Sequence, residues 1–398
     1  MEDGGEFLTD VLHAITPGDH FSPRTGSAIP TVVDGLAAAA ARDGAPFHQF
    51  VVLDSSTMRP RYTSAAVIEY TGERAPTKRA RMVDLARGRV GLSRTAVARY
   101  YEPVAEAIRT REPAFVLAHN APVLPWLLRR TEHRIVLYAH NDLLRTYSRR
   151  ESARMLDGVA AIVCVGESLA ERTRADLPGR LAERVRVVLN GVDCERFAPA
   201  QNGGGATFAT DDARLRIVFV GRMIAEKGPD VLIRAAQRLG RRDLEFLLVG
   251  SQGFARDAPL SRYEQELRRL ADEATAASGA DIRFEPFVER MKLPDLLRGA
   301  DLLVVPSRWA EPSGLTAMEG LASGLPVIAS RVGGLPDLVG AAGVLVEPDD
   351  PLALAEAIAT LADDPEARWR ASQRARVHAV AHDWSWAWSN LRRVLEEL

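Results

Sequence analysis

The sequence predicts an α/β protein of two Rossmann-like domains, each a parallel sheet covered by helices, facing one another across a cleft. At 398 residues the chain is too long for one ordinary core and suggests two domains of about 200 residues each. Short apolar runs bounded by Gly or Pro recur through both halves, as strands buried on both faces do. Between them lie stretches with apolar residues at helical spacing, and this alternation builds parallel sheets.

In the first half, HAITPGDH reads as the end of a strand. A loop with Gly18, Pro23 and Gly26 follows, then a helix from about Ile29 to Arg42. Gly26, Ser27 and Ala28 are small residues at a helix entrance, where a ligand can approach the backbone closely; a loop glycine can equally be a simple turn. Strands are expected at 50–53 and 65–69. The stretch between Glu73 and Arg99 carries Lys78, Arg79, Arg81, Arg87, Arg89 and Arg94, either a solvated face or a patch for an anionic substrate or membrane head group.

A helix at 104–110 leads to a strand at 114–118 that ends in His119 and Asn120. A second strand, 135–139, ends in His140. Open α/β sheets bind ligands at the carboxyl ends of their strands, although a histidine there can also bond neighbouring backbone. After a strand at 160–165, a helix from Glu167 and a strand at 185–189, Asn190-Gly191 makes a turn. The small, glycine-rich run from Ala198 to Arg214 reads as a linker. It is not a G-x-G-x-x-G fingerprint, which counts against a dinucleotide oxidoreductase.

The second half alternates cleanly, with strands at 216–220, 245–249, 282–284, 302–305, 327–329 and 344–346 and helices that include 230–239 and 261–276. After its first strand comes Gly221-Arg222-Met223-Ile224-Ala225-Glu226-Lys227-Gly228. Further on, Asp301 to Pro336 reads as a strand–helix–strand crossover. Pro312 disfavours helix at Glu311, which places that carboxylate on the loop. Ser313 is the expected N-cap, leaving the Gly314, Leu315 and Thr316 amides without internal acceptors, and Glu319 falls in the second turn. A helical rise of ~1.5 Å per residue separates the two carboxylates by on the order of 10 Å. Such a layout suits an elongated ligand with polyol ends and an anionic middle. Near the end, Trp384, Trp388, Leu391 and Leu395 share a helix face, as core residues do.

The totals narrow the function. A formal net charge of −2 gives no global pull towards nucleic acid. Cys164 and Cys194 form neither a C-x-x-C pair nor a zinc spacing, so a reducing compartment, the cytoplasm, is the expectation. No apolar run reaches the ~18 residues of a membrane span. Contact with a membrane surface stays open through the basic stretch.

The segment from Glu311 to Glu319 resembles the E-x7-E element of retaining, nucleotide-sugar-dependent glycosyltransferases of the family-four type with the GT-B fold. The resemblance runs through most of the chain and is strongest from about Ile217 to Val346. It implies an acceptor-side domain over 1–195, a nucleotide-sugar domain over 196–378, and a C-terminal helix, 379–398, crossing back to the first. It implies that Arg222 and Lys227 stabilise the leaving diphosphate, that Glu311 contacts the donor sugar and that Glu319 holds the ribose. Gly221, Ser313, Gly314, Leu315 and Thr316 would line the phosphates, Val288 would read the base through its backbone, and Gly26 would lie near the donor phosphates. His140 would face the donor sugar, with His119 and Asn120 on the acceptor side. The Gly333-Gly334 turn is either a close approach for the donor or structural. The implied reaction transfers a hexosyl group from a nucleotide sugar, in the first instance a UDP-sugar, to a hydroxyl. No D-x-D sequence occurs, so neither a metal nor a further cofactor is expected. The rival expectations are an epimerase or hydrolase on the same fold, and a non-catalytic nucleotide-sugar-binding subunit.

Overall fold

The structure is a computed structural model that describes residues 9–199, 214–253, 256 and 258–398. It forms two compact units. One takes in the chain up to Asn190 together with Trp384–Leu398, and the other is Gly191–Asp383. The chain thus changes over after 190 and 383, against the expected 195 and 378. Most of the glycine-rich stretch, 200–213, lies outside the described residues.

The first unit is a seven-stranded, wholly parallel sheet. Its strands are β1 (Asp10–Ala14), β2 (His48–Asp54), β3 (Ala66–Tyr70), β4 (Phe115–His119), β5 (Arg134–Ala139), β6 (Ala161–Cys164) and β7 (Val185–Val187), in the order 3-2-1-4-5-6-7. The order reverses between β1 and β4, so the connections leave the sheet in opposite directions there and open a crevice at the strands' carboxyl ends. The strands are short because both faces are covered: β4 and β6 are buried at every residue.

Helix Ala28–Asp43 packs against the last helix, Trp384–Glu396, within this unit. Gly35 sits mid-helix, a position that usually costs stability. Its purpose is contact: a Cβ there would lie 2.2 Å from the Trp384 ring. Trp388 is fully buried and donates through Nε1 to Asp43 Oδ2 at 2.9 Å, and Arg392 reaches the same carboxylate at 2.7 Å. Burying one such aromatic contributes about 1.5–3 kcal/mol. The tryptophans therefore serve packing, as their spacing predicts.

The basic stretch contains a helix, Lys78–Arg89, that periodicity did not reveal because few of its residues face inward. Arg94 departs from the solvated-face reading. Its side chain is buried on Glu151, with Nε–Oε1 at 2.7 Å, and its guanidinium lies 3.7 Å from the Tyr147 ring centroid.

The second unit is a six-stranded parallel sheet of β8 (Leu215–Val220), β9 (Leu244–Val249), β10 (Asp281–Glu285), β11 (Leu302–Val305), β12 (Val327–Ser330) and β13 (Val344–Val346). Its order, 10-9-8-11-12-13, reverses between β8 and β11. A single parallel bridge between Val192 and Asp383 fastens the two ends of this unit. No helix among the described residues is long and apolar enough to cross a membrane.

Candidate active site

In the second unit the candidate residues gather where the strand order reverses. The chain leaves β8 through Gly221 and Arg222 and makes a short 3-10 turn, Ala225–Lys227. Gly228 then starts helix Pro229–Leu239 in the left-handed conformation, φ 67°. Only glycine fits there. A Cβ would lie 2.0 Å from the Pro306 carbonyl oxygen, so the loop after β8 rests directly on the loop after β11. That contact sets Lys227 against Glu311, with Nζ–Oε1 at 2.5 Å. Ser307 donates to the same carboxylate oxygen at 2.6 Å.

Glu311 is 4% exposed, and its backbone is gripped from the other side. The Gly334 amide donates to the Glu311 carbonyl at 2.6 Å. A Cβ at Gly333, φ 61°, would come within 2.5 Å of the Glu311 backbone nitrogen. The Gly-Gly turn is thus a structural clamp on Glu311. A buried carboxylate held by an ammonium, a hydroxyl and a fixed backbone is a preorganised charge.

Helix Leu315–Ala322 begins one residue later than expected. Gly314, not Ser313, occupies the N-cap position, and no side chain caps the helix. Ser313 therefore does not play the capping part read from the sequence. Among the described residues the amides of Gly314, Leu315 and Thr316 have no acceptor. Three orphan donors at a helix mouth carry the positive end of the helix dipole, which suits a phosphate.

Glu319, 3% exposed, faces Arg290 on the 3-10 turn after β10. Arg290 Nη2 lies 2.6 Å from Glu319 Oε1, an ion-pair contact not aligned as a hydrogen bond. The guanidinium also sits 5.7 Å from the Phe197 ring centroid. Arg290 and Ser307 had no motif to mark them in the sequence. Val288 lies three residues after β10, half-buried against the apolar core. Arg222 is exposed and donates to the Gln252 carbonyl at 3.1 Å; it forms no hydrogen bond or ion pair with Lys227 or Glu311.

In the first unit the other candidates line the corresponding reversal. His119, the last residue of β4, is fully buried, with both ring nitrogens bonded. Its Nε2 lies 2.9 Å from His13 Nδ1 on β1, and its Nδ1 lies 2.7 Å from His140 Nε2 just past β5. His13 Nε2 reaches Gln49 Oε1 on β2 at 2.9 Å. The rings of His13, His119, Tyr138 and His140 stack with centroids 4.8–5.2 Å apart. Burial pushes His13 down to about 4 and His140 to about 3, and holds His119 well below the ordinary imidazole value. All three are neutral at pH 7.

Asn120 adopts φ 52°, a left-handed conformation asparagine tolerates, and its Oδ1 accepts from the His140 amide at 2.8 Å. Asn120 thus fixes the backbone that carries His140. Gly26 is exposed at the mouth of helix Ala28–Asp43, beside Ser27, whose hydroxyl donates to Asp19 at 2.9 Å instead of capping the helix. Nothing in the sequence pattern marked His13 or Gln49 beyond a polar residue inside each of two buried strands.

Both units of the chain resemble known protein families. Residues 29–196 match the model described as Glycosyltransferase Family 4, and residues 214–364 match the one described as Glycosyl transferases group 1. The chain belongs to the family-four glycosyltransferases of the GT-B fold.

A D-inositol 3-phosphate glycosyltransferase 1 of Catenulispora acidiphila is 37% identical over 257 residues, 60% of this chain and 59% of the relative. The D-inositol 3-phosphate glycosyltransferase of Corynebacterium efficiens is 38% identical over 222 residues, 52% of this chain and 48% of its own length. The chain therefore spans about half to three fifths of the length of the curated relatives it matches. Anabaena HepE, solved in complex with UDP and glucose, superposes with a TM-score of 0.70 at 19% identity, covering 98% of this chain and 100% of that one. Sucrose-phosphate synthase from Thermosynechococcus elongatus gives 0.73 at 19% identity, covering 98% of each. At such identity these structures share the fold.

Proposed function

We propose that this chain is a retaining glycosyltransferase that moves a hexosyl group from a UDP-sugar to a hydroxyl of a phosphorylated cyclitol. The observation that carries the reading is the Lys227–Glu311 pair beside three orphan helix amides. The amides of Gly314, Leu315 and Thr316 take the diphosphate, with Arg222 and Lys227 spreading its growing charge. Glu311 takes hydroxyls of the donor sugar, and Glu319, steadied by Arg290, takes those of the ribose. Val288 supports the base through its backbone, and His140 takes a further sugar hydroxyl. Relatives named for D-inositol 3-phosphate motivate the acceptor class.

In this reading the acceptor hydroxyl attacks on the face the diphosphate leaves. The bond from the anomeric carbon to the phosphate oxygen breaks as the bond to the acceptor oxygen forms, and the acceptor proton passes to a phosphate oxygen. No protein base stands in this scheme, nor does a metal or further cofactor. Orientation and leaving-group stabilisation carry the rate. Two unbridged cysteines fit a cytoplasmic setting.

The test is a thermal-shift panel of UDP, GDP and ADP sugars, since a bound donor stabilises the fold by mass action. NMR of the product with myo-inositol phosphate follows, with an anomeric coupling that reports retention. Sugar release or epimerisation without acceptor would replace this reading with the hydrolase or epimerase.

A further inference from the structure

The buried histidines do more than fill space. Gln49, His13, His119 and His140 sit on or just beyond β2, β1, β4 and β5, four neighbouring strands, and form one unbroken file of side-chain contacts that crosses the sheet obliquely, from near the amino end of β2 to the carboxyl end of β5. A neutral imidazole carries one N–H and one bare nitrogen. A file of three neutral rings therefore has only two coherent proton arrangements, one the reverse of the other. The end of the file chooses between them.

That end is Gln49, whose Nε2 donates to the Phe47 carbonyl at 3.2 Å. A carbonyl accepts and never donates, so it turns the amide's NH2 towards itself and its Oε1 towards His13. Reversing the file would set Gln49 Oε1 against Phe47 O, two lone pairs in a buried place. The arrangement with Oε1 facing His13 is favoured by on the order of tenfold or more. From that choice the rest follows in turn. His13 Nε2–H donates to Gln49, His119 Nε2–H donates to His13 Nδ1, and His140 Nε2–H donates to His119 Nδ1.

We propose that Gln49, His13 and His119 are positioning residues that hold His140 in a single tautomer, with Nδ1 bare, so that His140 meets a substrate as a hydrogen-bond acceptor only. Among the described residues nothing bonds that Nδ1, and His140 is 8% exposed as a residue whereas His13 and His119 are fully buried. Asn120 pins the backbone beneath it. Burial, which keeps all three rings neutral, removes the imidazolium alternative. A ring of this kind selects a hydroxyl that donates and disfavours a group that cannot. The substrate side of this inference rests on the reading that His140 contacts the transferred sugar.

The test reads the tautomers directly. Two-bond proton–nitrogen correlation spectra of the full chain, with isotope-labelled histidine, should show Nε2 protonated and Nδ1 bare at His13, His119 and His140. A protonated Nδ1 on any of the three in the unmodified chain overturns the file, whether or not any variant folds. Gln49→Met keeps the volume and removes the choice, so the two tautomers of His140 should approach equal populations. Affinity for UDP should stay the same. Among UDP-glucose analogues with one hydroxyl replaced by fluorine, which cannot donate, one should gain about fivefold in affinity as the N–H-bearing form becomes populated. A merely structural role for Gln49 gives losses and no such gain. If the tautomers change as expected and no analogue gains, the assignment of His140 to the sugar is overturned while the file stands.

Discussion

The two units build their candidate residues on the same topological feature with opposite chemistry. Where the order reverses in the second unit, ions are paired: Lys227 with Glu311 and Arg290 with Glu319. At the corresponding place in the first unit three imidazoles are kept neutral in a buried file. The difference follows from what surrounds each group. Lys227 retains access to water while its carboxylate is buried, and a charge held that way can be presented to a ligand at little reorganisation. Among the described residues no counter-charge lies within reach of the histidines, so burial removes their charge instead. One region supplies field, the other supplies direction.

Acid should separate the two regions most sharply. His13, His119 and His140 titrate in the unfolded chain near 6.5 but far lower when folded. Below about pH 6.5 the unfolded state therefore binds protons that the folded state refuses, and stability present above that pH is lost as the pH falls towards 4. Between pH 6.5 and 5 His13 and His140 each cost about 1–2 kcal/mol, and His119 adds to the loss in the same direction. Urea titrations followed by tryptophan fluorescence should show the first unit's transition falling by far the more. Equal shifts in both transitions would mean the rings accept protons without unfolding.

Lys227→Ala tests the charged region. It should lower turnover by about 100- to 1,000-fold through lost leaving-group stabilisation, and leave Glu311 buried with only Ser307 as partner. The paired change Lys227→Met with Glu311→Gln should recover thermal stability without recovering activity, because the first loss includes an uncompensated charge and the second does not. Activity within about threefold of the unmodified chain after Lys227→Ala would remove the pair from the reaction.

How much of this was legible in the sequence depends on whether a feature is local. The strands of both sheets stand out because runs such as Leu302–Val305 are buried on both faces and bounded by breakers. Glu311 and Glu319 were legible because one short segment carries them with Pro312 between. Their partners were not. Arg290 comes from the turn after β10, Ser307 from the loop after β11, and Gln49 and His13 from strands brought together only by the sheet order. A buried polar residue in an apolar strand is the one signal that pointed to the last two, and it names no partner. Helix Lys78–Arg89 was hidden for the opposite reason, since a helix that buries little shows no period.

Backbone geometry gives the next effect in size. Gly228→Ala would place a methyl carbon 2.0 Å from the Pro306 carbonyl at a positive φ, so one of the two loops must move. The expected cost is about 2–3 kcal/mol of stability in the second unit, seen as a lower melting temperature. Activity should fall too, because that contact seats Lys227 on Glu311. A variant as stable and active as the parent would show that the pair does not depend on the loop contact.

Ser307→Ala is the smallest change and the most direct on the balance between the two kinds of site. The Ser307 hydroxyl donates to Glu311 Oε1, the same oxygen that Lys227 holds, so its loss leaves the ion pair in place and removes one charge-assisted hydrogen bond. Such a bond contributes about 1–2 kcal/mol in a buried setting. If the field of the carboxylate is what matters, the loss should appear as about fivefold in the affinity for UDP-sugar, with UDP alone unaffected, because the carboxylate would reorient towards Lys227 and away from the sugar hydroxyls. If UDP and UDP-sugar weaken equally, Ser307 shapes the loop as a whole and Glu311 takes no separate part in holding the sugar. Isothermal titration of both ligands on one variant distinguishes the two outcomes, and it does so without any acceptor in hand.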